Sequence, residues 1–262
     1  MKAMILAAGL GTRLKPLTDT LPKALVELSG RTLLEITLTR LRTFGITEVI
    51  INVHHFADKV IDYLKSQDNF GIRIEISREE VLLDTGGGLK KAAWFFLEDP
   101  SRLDESFLLH NVDVISNIDL SRMLQFHTEN QALATLAVQS RQSSRYLLFD
   151  KQNQLRGRRI DGKDTFTPIS PNTVISSEAR NLSSSSSLAT HHSPLPLAFS
   201  GIHIISPGLL PLLTEEGVFS IIPSYLRLAA QGQKILAFRA DQSYWRDLGR
   251  PADLAQAALE LK

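Results

Sequence analysis

The first 140 residues alternate between two hydrophobic periods, and this alternation restricts the fold more than any other feature of the chain. Short apolar runs stand at Met4-Ile5-Leu6, Val49-Ile50-Ile51-Asn52-Val53, Phe107-Leu108-Leu109 and Ala134-Thr135-Leu136-Ala137-Val138, and Ile72-Arg73-Ile74-Glu75-Ile76 alternates with period two. Helical stripes separate them: Leu33 to Leu41, stopping near Gly45; Val60 to Leu64; Leu89 to Leu97; and one opening at Asp119. Trp94, Phe95 and Phe96 fall at helix spacing and are expected in the core. Strands alternating with helices through short links predict an α/β fold. The sheet is expected to be Rossmann-like and mostly parallel, with helices on both faces.

After Arg145 the texture changes. Tyr146 to Phe149 and Gln154 to Ile160, divided by Asp150-Lys151-Gln152-Asn153, read as a hairpin and give the fold a small β-rich part. Residues 170–197 are low in complexity, with a serine run from Ser183 to Ser187 and prolines at Pro194 and Pro196. So little there can be buried that a disordered insertion is expected. A strand then returns at Phe199–Ile205. It is followed by a helix from Ile221 to Ala230, a strand from Ile235 to Arg239, an extended Ser243–Asp247 and a last helix opened by Pro251. No repeat is visible, and 1–262 reads as a single domain carrying that insertion.

Composition narrows the function. The net charge of +1 argues against a partner recognised through a nucleic-acid backbone, which needs a basic excess. The absence of cysteine excludes disulfide frameworks, thiolate zinc sites and cysteine nucleophiles. No apolar run approaches the ~20 residues of a membrane span. The apolar stretch Ala3–Ala8 is short for a secretion signal. A cytoplasmic protein without membrane partners is the expectation. Of the histidines, His54, His55, His191, His192 and His203 have no thiolates beside them, and adjacent histidines share a ligand set poorly. Structural or solvent roles are expected for them.

The segment richest in chemical information is Leu6-Ala7-Ala8-Gly9-Leu10-Gly11-Thr12-Arg13-Leu14, directly after the first strand. Small residues there let backbone N–H groups approach phosphate. A dinucleotide fingerprint would need glycine where Leu14 stands, and a P-loop would need a Gly-Lys-Ser/Thr that is missing. Arg13, Lys15 and Lys23 add positive charge, and Pro16 and Pro22 stiffen the chain. A rigid loop with an arginine fork and a lysine point charge suits a polyphosphate.

This loop, with Pro16-Leu17-Thr18 and Pro22-Lys23-Ala24-Leu25-Val26, resembles the signature of sugar-1-phosphate nucleotidylyltransferases. The resemblance continues at Asp84-Thr85-Gly86-Gly87-Gly88, where the family usually has glutamate for Asp84. It reappears at Val112-Asp113-Val114, where glycine usually precedes the aspartate, at Phe199-Ser200-Gly201-Ile202 and at Trp245-Arg246-Asp247-Leu248-Gly249. Short members, the N-acetylmuramate-1-phosphate uridylyltransferases and mannose-1-phosphate guanylyltransferases, are the most similar.

The resemblance implies a Mg²⁺-dependent enzyme that joins a nucleoside triphosphate to a sugar 1-phosphate and releases pyrophosphate. It favours UTP and an N-acetylated hexosamine or muramate 1-phosphate. Arg13, Lys23 and Asp113 are then the catalytic residues, and Asp113 and Asp247 the metal carboxylates. Leu6, Ala7, Ala8, Gly9, Gly11, Thr12, Gly86 and Gly87 join Arg13 and Lys23 in holding the nucleotide. Asn52, Asp84, Ser200 and Gly201 are expected at the substrate, Trp245 at the sugar pocket or in packing. The β-rich part would bind the sugar, and a monomer or small homo-oligomer is expected. Such chemistry needs alignment and charge neutralisation more than acid–base help, because the attacking phosphate is already ionised. Three other readings remain open: a mannose-1-phosphate guanylyltransferase, a cytidylyltransferase for a phosphocholine-like acceptor, which calls for an aromatic cage, and a non-catalytic nucleotide-sugar-binding regulatory protein.

Overall fold

The computed structural model describes residues 1–166 and 194–261. Its N-terminal half is wound as the hydrophobic periods require. Strands β1 (Ala3–Leu6), β4 (Glu48–Val53), β5 (Arg73–Arg78) and β6 (Phe107–Asn111) pair in parallel in the order β5-β4-β1-β6. Between β1 and β4 lie a two-stranded ribbon, β2 (Glu27–Leu28) with β3 (Arg31–Thr32), and helix α1 (Leu33–Thr43). Helix α1 begins where Thr32 accepts a hydrogen bond from the Glu35 N–H at 3.0 Å. It buries Leu33, Leu34, Leu38 and Leu41 and gives way at Gly45, whose φ is +72°. Helix α2 (Ala57–Ser66) joins β4 to β5.

Two helices, α3 (Asp84–Lys91) and α4 (Ala93–Leu97), replace the single one expected from Leu89. Phe95 and Phe96 are buried as expected, but Trp94 is exposed on the far side of the short α4. Past β6 come β7 (Val114–Ser116), α5 (Leu120–Glu129), capped by Asp119, and β8 (Ala134–Gln139).

The second half adds antiparallel strands to the same sheet. The hairpin forms as β9 (Arg145–Phe149) and β10 (Leu155–Ile160), extended by β11 (Lys163–Phe166). Strand β12 (Leu195–Ile205) is the seam. It runs antiparallel to β6 along Ile202–Ile205, to β9 along Leu195–Leu197 and to β8. It begins four residues before the Phe199 expected from sequence. Residues 195–197 of the anticipated insertion therefore belong to the sheet, and Leu197 is fully buried. Residues 170–193 of that insertion, with His191 and His192, lie outside the described residues. Helix α6 (Ile221–Ala230), β13 (Ile235–Arg239), β14 (Trp245–Asp247) and α7 (Pro251–Glu260) complete the chain. Strand β13 lies parallel to β8.

The core divides at the sheet. Leu34, Leu38, Val49 and Ile51 pack one side, and Leu89, Phe95, Phe107 and Tyr225 the other. This is the α/β architecture with helices on both faces expected from sequence, with the four parallel strands β5-β4-β1-β6 on one side of the sheet and the antiparallel, β-rich part on the other. No helix among the described residues is long and apolar enough to cross a membrane.

Candidate active site

The loop after β1 sits at the carboxyl edge of the parallel strands, where open α/β sheets hold ligands. The Ala7 N–H donates to Asn52 Oδ1 at 2.7 Å, and Asn52 Nδ2 donates to Glu79 Oε1 at 2.8 Å. Glu79 accepts from the Leu83 N–H at 2.9 Å through its other oxygen. Asn52 and Glu79 are 3% and 2% exposed, so this chain of bonds is buried and ties the loop after β1, strand β4 and the loop after β5 into one frame. Asn52 thus acts behind the pocket as well as in its wall. Glu79 went unnoticed in the sequence. The available signal was Asn52 itself, a polar residue within an apolar strand that needs a partner.

Asp113 occupies the turn between β6 and β7, and its Oδ2 accepts from Lys23 Nζ in a close ion pair. Val112, standing where the family usually has glycine, buries its side chain in the core and donates its N–H to Leu6 O at 3.1 Å. The backbone then brings in the second carboxylate. Strand β14 pairs antiparallel with β7, setting Asp247 opposite Val114, and the Leu248 N–H donates to Asp113 O at 2.8 Å. Burial and the Asp113 carboxylate push the Asp247 pKa upward, while Lys23 and Arg13 oppose them. Arg13 Nη2 stands 4.0 Å from Asp247 Oδ2. The Gly249 N–H donates to Asp247 Oδ1 at 2.7 Å, and a Cβ at Gly249 would lie 2.4 Å from Arg13 Nη2. The structure therefore brings Arg13, Lys23, Asp113 and Asp247 together.

Two cavities meet at this cluster. One, of about 350 Å³, is lined by Leu6, Ala8, Gly9, Lys23, Asn52 and Asp113, among others. The second, of about 640 Å³, opens over β9, β10 and β12 and includes Gly201, Trp245 and Asp247 in its wall. Asp84 and Asn111 line both. Asp84 has a φ of +60°, a conformation uncommon for a side-chain-bearing residue. Gly201, at φ +73°, leaves room for Asn111, whose Nδ2 would otherwise lie 2.8 Å from a Cβ. Trp245 Nε1 donates to Ser200 O at 2.7 Å, and the Arg141 guanidinium lies 3.6 Å from the Trp245 ring centroid. Trp245 thus both packs and lines the cavity.

Several expected residues sit elsewhere. Gly11 and Thr12 shape the turn that presents Arg13, with Gly11 at φ +63° and Thr18 Oγ1 donating to its carbonyl at 2.8 Å. Gly86 and Gly87 line neither cavity. They lie in the first turn of α3, where both N–H groups donate to Phe219 O, at 2.9 and 3.2 Å. A Cβ on Gly86 would strike the Phe219 ring, one on Gly87 the Gly217 carbonyl, and one on Gly88 the Asn52–Glu79 pair. Close helix packing explains these glycines. Ser200 is fully buried and offers its carbonyl to Trp245, with its hydroxyl away from either cavity wall. His203 is buried with Nδ1 on the Tyr225 hydroxyl at 2.8 Å, and His54 Nδ1 meets Glu79 O at 2.9 Å. Among the described residues no three His, Asp or Glu side chains cluster as a metal cage.

Sequence reasoning also missed the cationic wall of the larger cavity, formed by Arg141, Arg145 and Arg158. Nothing local marks them, because their approach depends on how the hairpin meets β12.

Comparison with known proteins places the chain in a family. The nucleotidyl transferase family model matches residues 2–161. N-acetylmuramate α-1-phosphate uridylyltransferase of Caulobacter vibrioides is 32% identical over 98% of this chain and 95% of its own length. Mannose-1-phosphate guanyltransferase of Yarrowia lipolytica is 28% identical over 97% of this chain, which spans 62% of that relative. Among solved structures, a putative glucose-1-phosphate thymidylyltransferase from Bacillus anthracis superposes with a TM-score of 0.76 at 16% identity, covering 99% of this chain and 94% of that one. A UDP-glucose pyrophosphorylase complexed with UDP-glucose does so with a TM-score of 0.72 at 16% identity, covering 99% and 97%. At such identity these structures speak for the fold alone. With more than half of its residues matched by the family and a full-length relative above 30% identity, the chain belongs to the nucleotidyl transferase family, alongside enzymes that act on sugar 1-phosphates.

Proposed function

We propose that the protein transfers a uridylyl group from UTP to an N-acetylated sugar 1-phosphate of the hexosamine or muramate class. A phosphate oxygen of the sugar attacks the α-phosphorus of UTP, the bond from that phosphorus to the bridging oxygen breaks, and pyrophosphate leaves. The attacking oxygen is already ionised, so no base is required. The observation that carries this reading is the Arg13–Lys23–Asp113–Asp247 cluster at the junction of two cavities. The smaller cavity suits the nucleotide and the larger one the acceptor.

Lys23 neutralises the α-phosphate region, and Arg13, at the rim, suits the β- and γ-phosphates and the departing pyrophosphate. The backbone of Leu6 to Gly9, held by Asn52, faces the nucleoside. Asp113 and Asp247 fit a Mg²⁺ site. They are two adjacent carboxylates, and among the described residues Asp113 Oδ1 and Asp247 Oδ2 accept no hydrogen bond. A hard cation of this kind takes one or two protein carboxylates, fills its shell with water and phosphate, and supplies charge neutralisation at the reacting phosphate.

Three arginines around the larger cavity oppose a quaternary ammonium, and Arg141 already covers the Trp245 ring, so a phosphocholine-type acceptor fits poorly. The test is a pyrophosphate-release screen of four triphosphates against common sugar 1-phosphates with Mg²⁺. Release with UTP and N-acetylmuramate or N-acetylglucosamine 1-phosphate is expected. Turnover only with GTP and mannose 1-phosphate would replace this reading, and nucleotide-sugar binding without turnover would favour a regulatory protein.

A further inference from the structure

The hairpin that forms the floor of the larger cavity sorts its arginines by face. In the β9–β10 register Arg145 stands opposite Ile160, and Arg158 opposite Leu147. Directly opposed residues share a face, as do residues two apart on one strand. Arg145, Leu147, Arg158 and Ile160 therefore project together, and all four line the cavity. The other hairpin arginines have acidic partners: Arg159 Nε donates to Asp164 Oδ1 and Arg156 Nε to Asp150 Oδ2. Arg145 and Arg158 make no side-chain hydrogen bond or ion pair with any described residue. Diagonal neighbours across a strand pair are within reach of each other's long side chains, so an anion between the two guanidinium groups could meet both, and the protein builds this pair at a ligand cavity.

Its position separates it from the reacting phosphates. Strand β10 lies three strand spacings from β6, in the order β10-β9-β12-β6, roughly 14 Å at the usual spacing. Asp113 follows β6 directly, so the acceptor phosphate belongs at that end. The far end of the acceptor meets the hairpin.

We propose that Arg145 and Arg158 read a second anionic group, a carboxylate on the sugar ring, so that the acceptor is an acidic sugar 1-phosphate rather than a neutral hexose or hexosamine 1-phosphate. This inference rests on the acceptor role assigned above to the larger cavity. Leu147 and Ile160, between the two guanidinium groups, offer an apolar surface for the linker that carries the carboxylate. Arg141 belongs to the shelf behind it. Its Nη2 donates to Phe199 O at 2.7 Å and its plane lies on Trp245.

The experiment compares N-acetylmuramate 1-phosphate with N-acetylglucosamine 1-phosphate, the same ring without the carboxylate-bearing ether, in the wild type and in Arg145→Gln, Arg158→Gln and Arg158→Lys. With UTP and Mg²⁺ the wild type is expected to prefer the acidic acceptor at least tenfold in kcat/KM. Each glutamine substitution should lower the acid-to-neutral ratio about 10- to 100-fold, the range of a charge-assisted hydrogen bond, and do so through KM for the acidic acceptor with little change in kcat. Arg158→Lys should recover part of the ratio, and added salt should erode it. Equal use of both acceptors by the wild type, or an equal loss on both in the variants, would overturn the proposal while leaving nucleotidyl transfer intact. No turnover with either acceptor would instead remove the functional reading on which it rests.

Discussion

The two cavities that meet at Asp113 and Asp247 are built on different principles. The smaller one is walled by backbone and short side chains and braced from behind by the buried Ala7–Asn52–Glu79–Leu83 bonds. Its residues come from strand ends and loops along one edge of a parallel sheet. The larger one is walled by long side chains on antiparallel strands, and its cations stand partly in solvent. The comparison teaches that one fold can place a rigid, geometry-reading pocket beside a charge-reading one. Substitutions in the first should disturb catalysis with every acceptor, and those in the second should shift the choice among acceptors.

The harshest trial of that division is Asp113→Asn. It keeps the shape of the turn but leaves Lys23 without its counter-charge and removes a carboxylate from the proposed ion site. A fall in kcat of about 10³-fold is expected for all acceptors alike. Steady-state pyrophosphate release would show it, and a loss confined to one acceptor would break the division.

Gly249→Ala tests the boundary between the cavities. The new Cβ would lie 2.4 Å from Arg13 Nη2 and 2.7 Å from Asp247 Oδ1. The arginine end can swing away, so the fold should survive while the charged cluster opens. A drop in kcat of roughly 10- to 100-fold is expected, with a melting temperature within a few degrees of the wild type. Wild-type kinetics would show that the Arg13–Asp247 approach is dispensable.

The last trial concerns stability rather than turnover, at the seam between the two halves. His110 on β6 and His203 on β12 are buried, and burial lowers their pKa values to about 4 and about 3. His127, held between Thr135 Oγ1 and Ser206 Oγ, is lowered by burial to about 4. Each binds a proton in the unfolded chain near pH 6.5 but stays neutral in the native state. Stability is therefore complete above pH 6.5 and declines as pH falls toward 4, by up to about 1.4 kcal/mol per pH unit for each histidine. Urea midpoints measured between pH 7.5 and 5 should decrease, and a flat profile would mean that these rings are solvated.

Much of the nucleotide side was legible because its elements are local. The strand–loop–turn run from Met4 to Leu14 contains its own apolar period, its own glycines and its own cation, Arg13. The family resemblance then joined Asp113 to Asp247, 134 positions apart. Gly86 and Gly87 show the reach of such motif logic: glycines that admit a neighbouring loop and glycines that admit a ligand look alike in sequence, and the structure adds that Phe219 and Gly217 fill the space a Cβ would need. Glu79, Arg145 and Arg158 left no comparable trace. Glutamate and arginine are ordinary at strand ends and on hairpins, and only partners from distant segments give them a role.

The chain's local sequence thus determined the parallel half-sheet, the capped helices and the glycine-rich loop after β1, since these follow from local backbone preference and from which residues must leave water. Tertiary structure decided the rest: β14 laid against β7 brings the second carboxylate to the first, and the hairpin laid against β12 turns Arg145 and Arg158 into a cavity. Such contacts depend on the register and stacking of strands far apart in the chain, which no local pattern encodes.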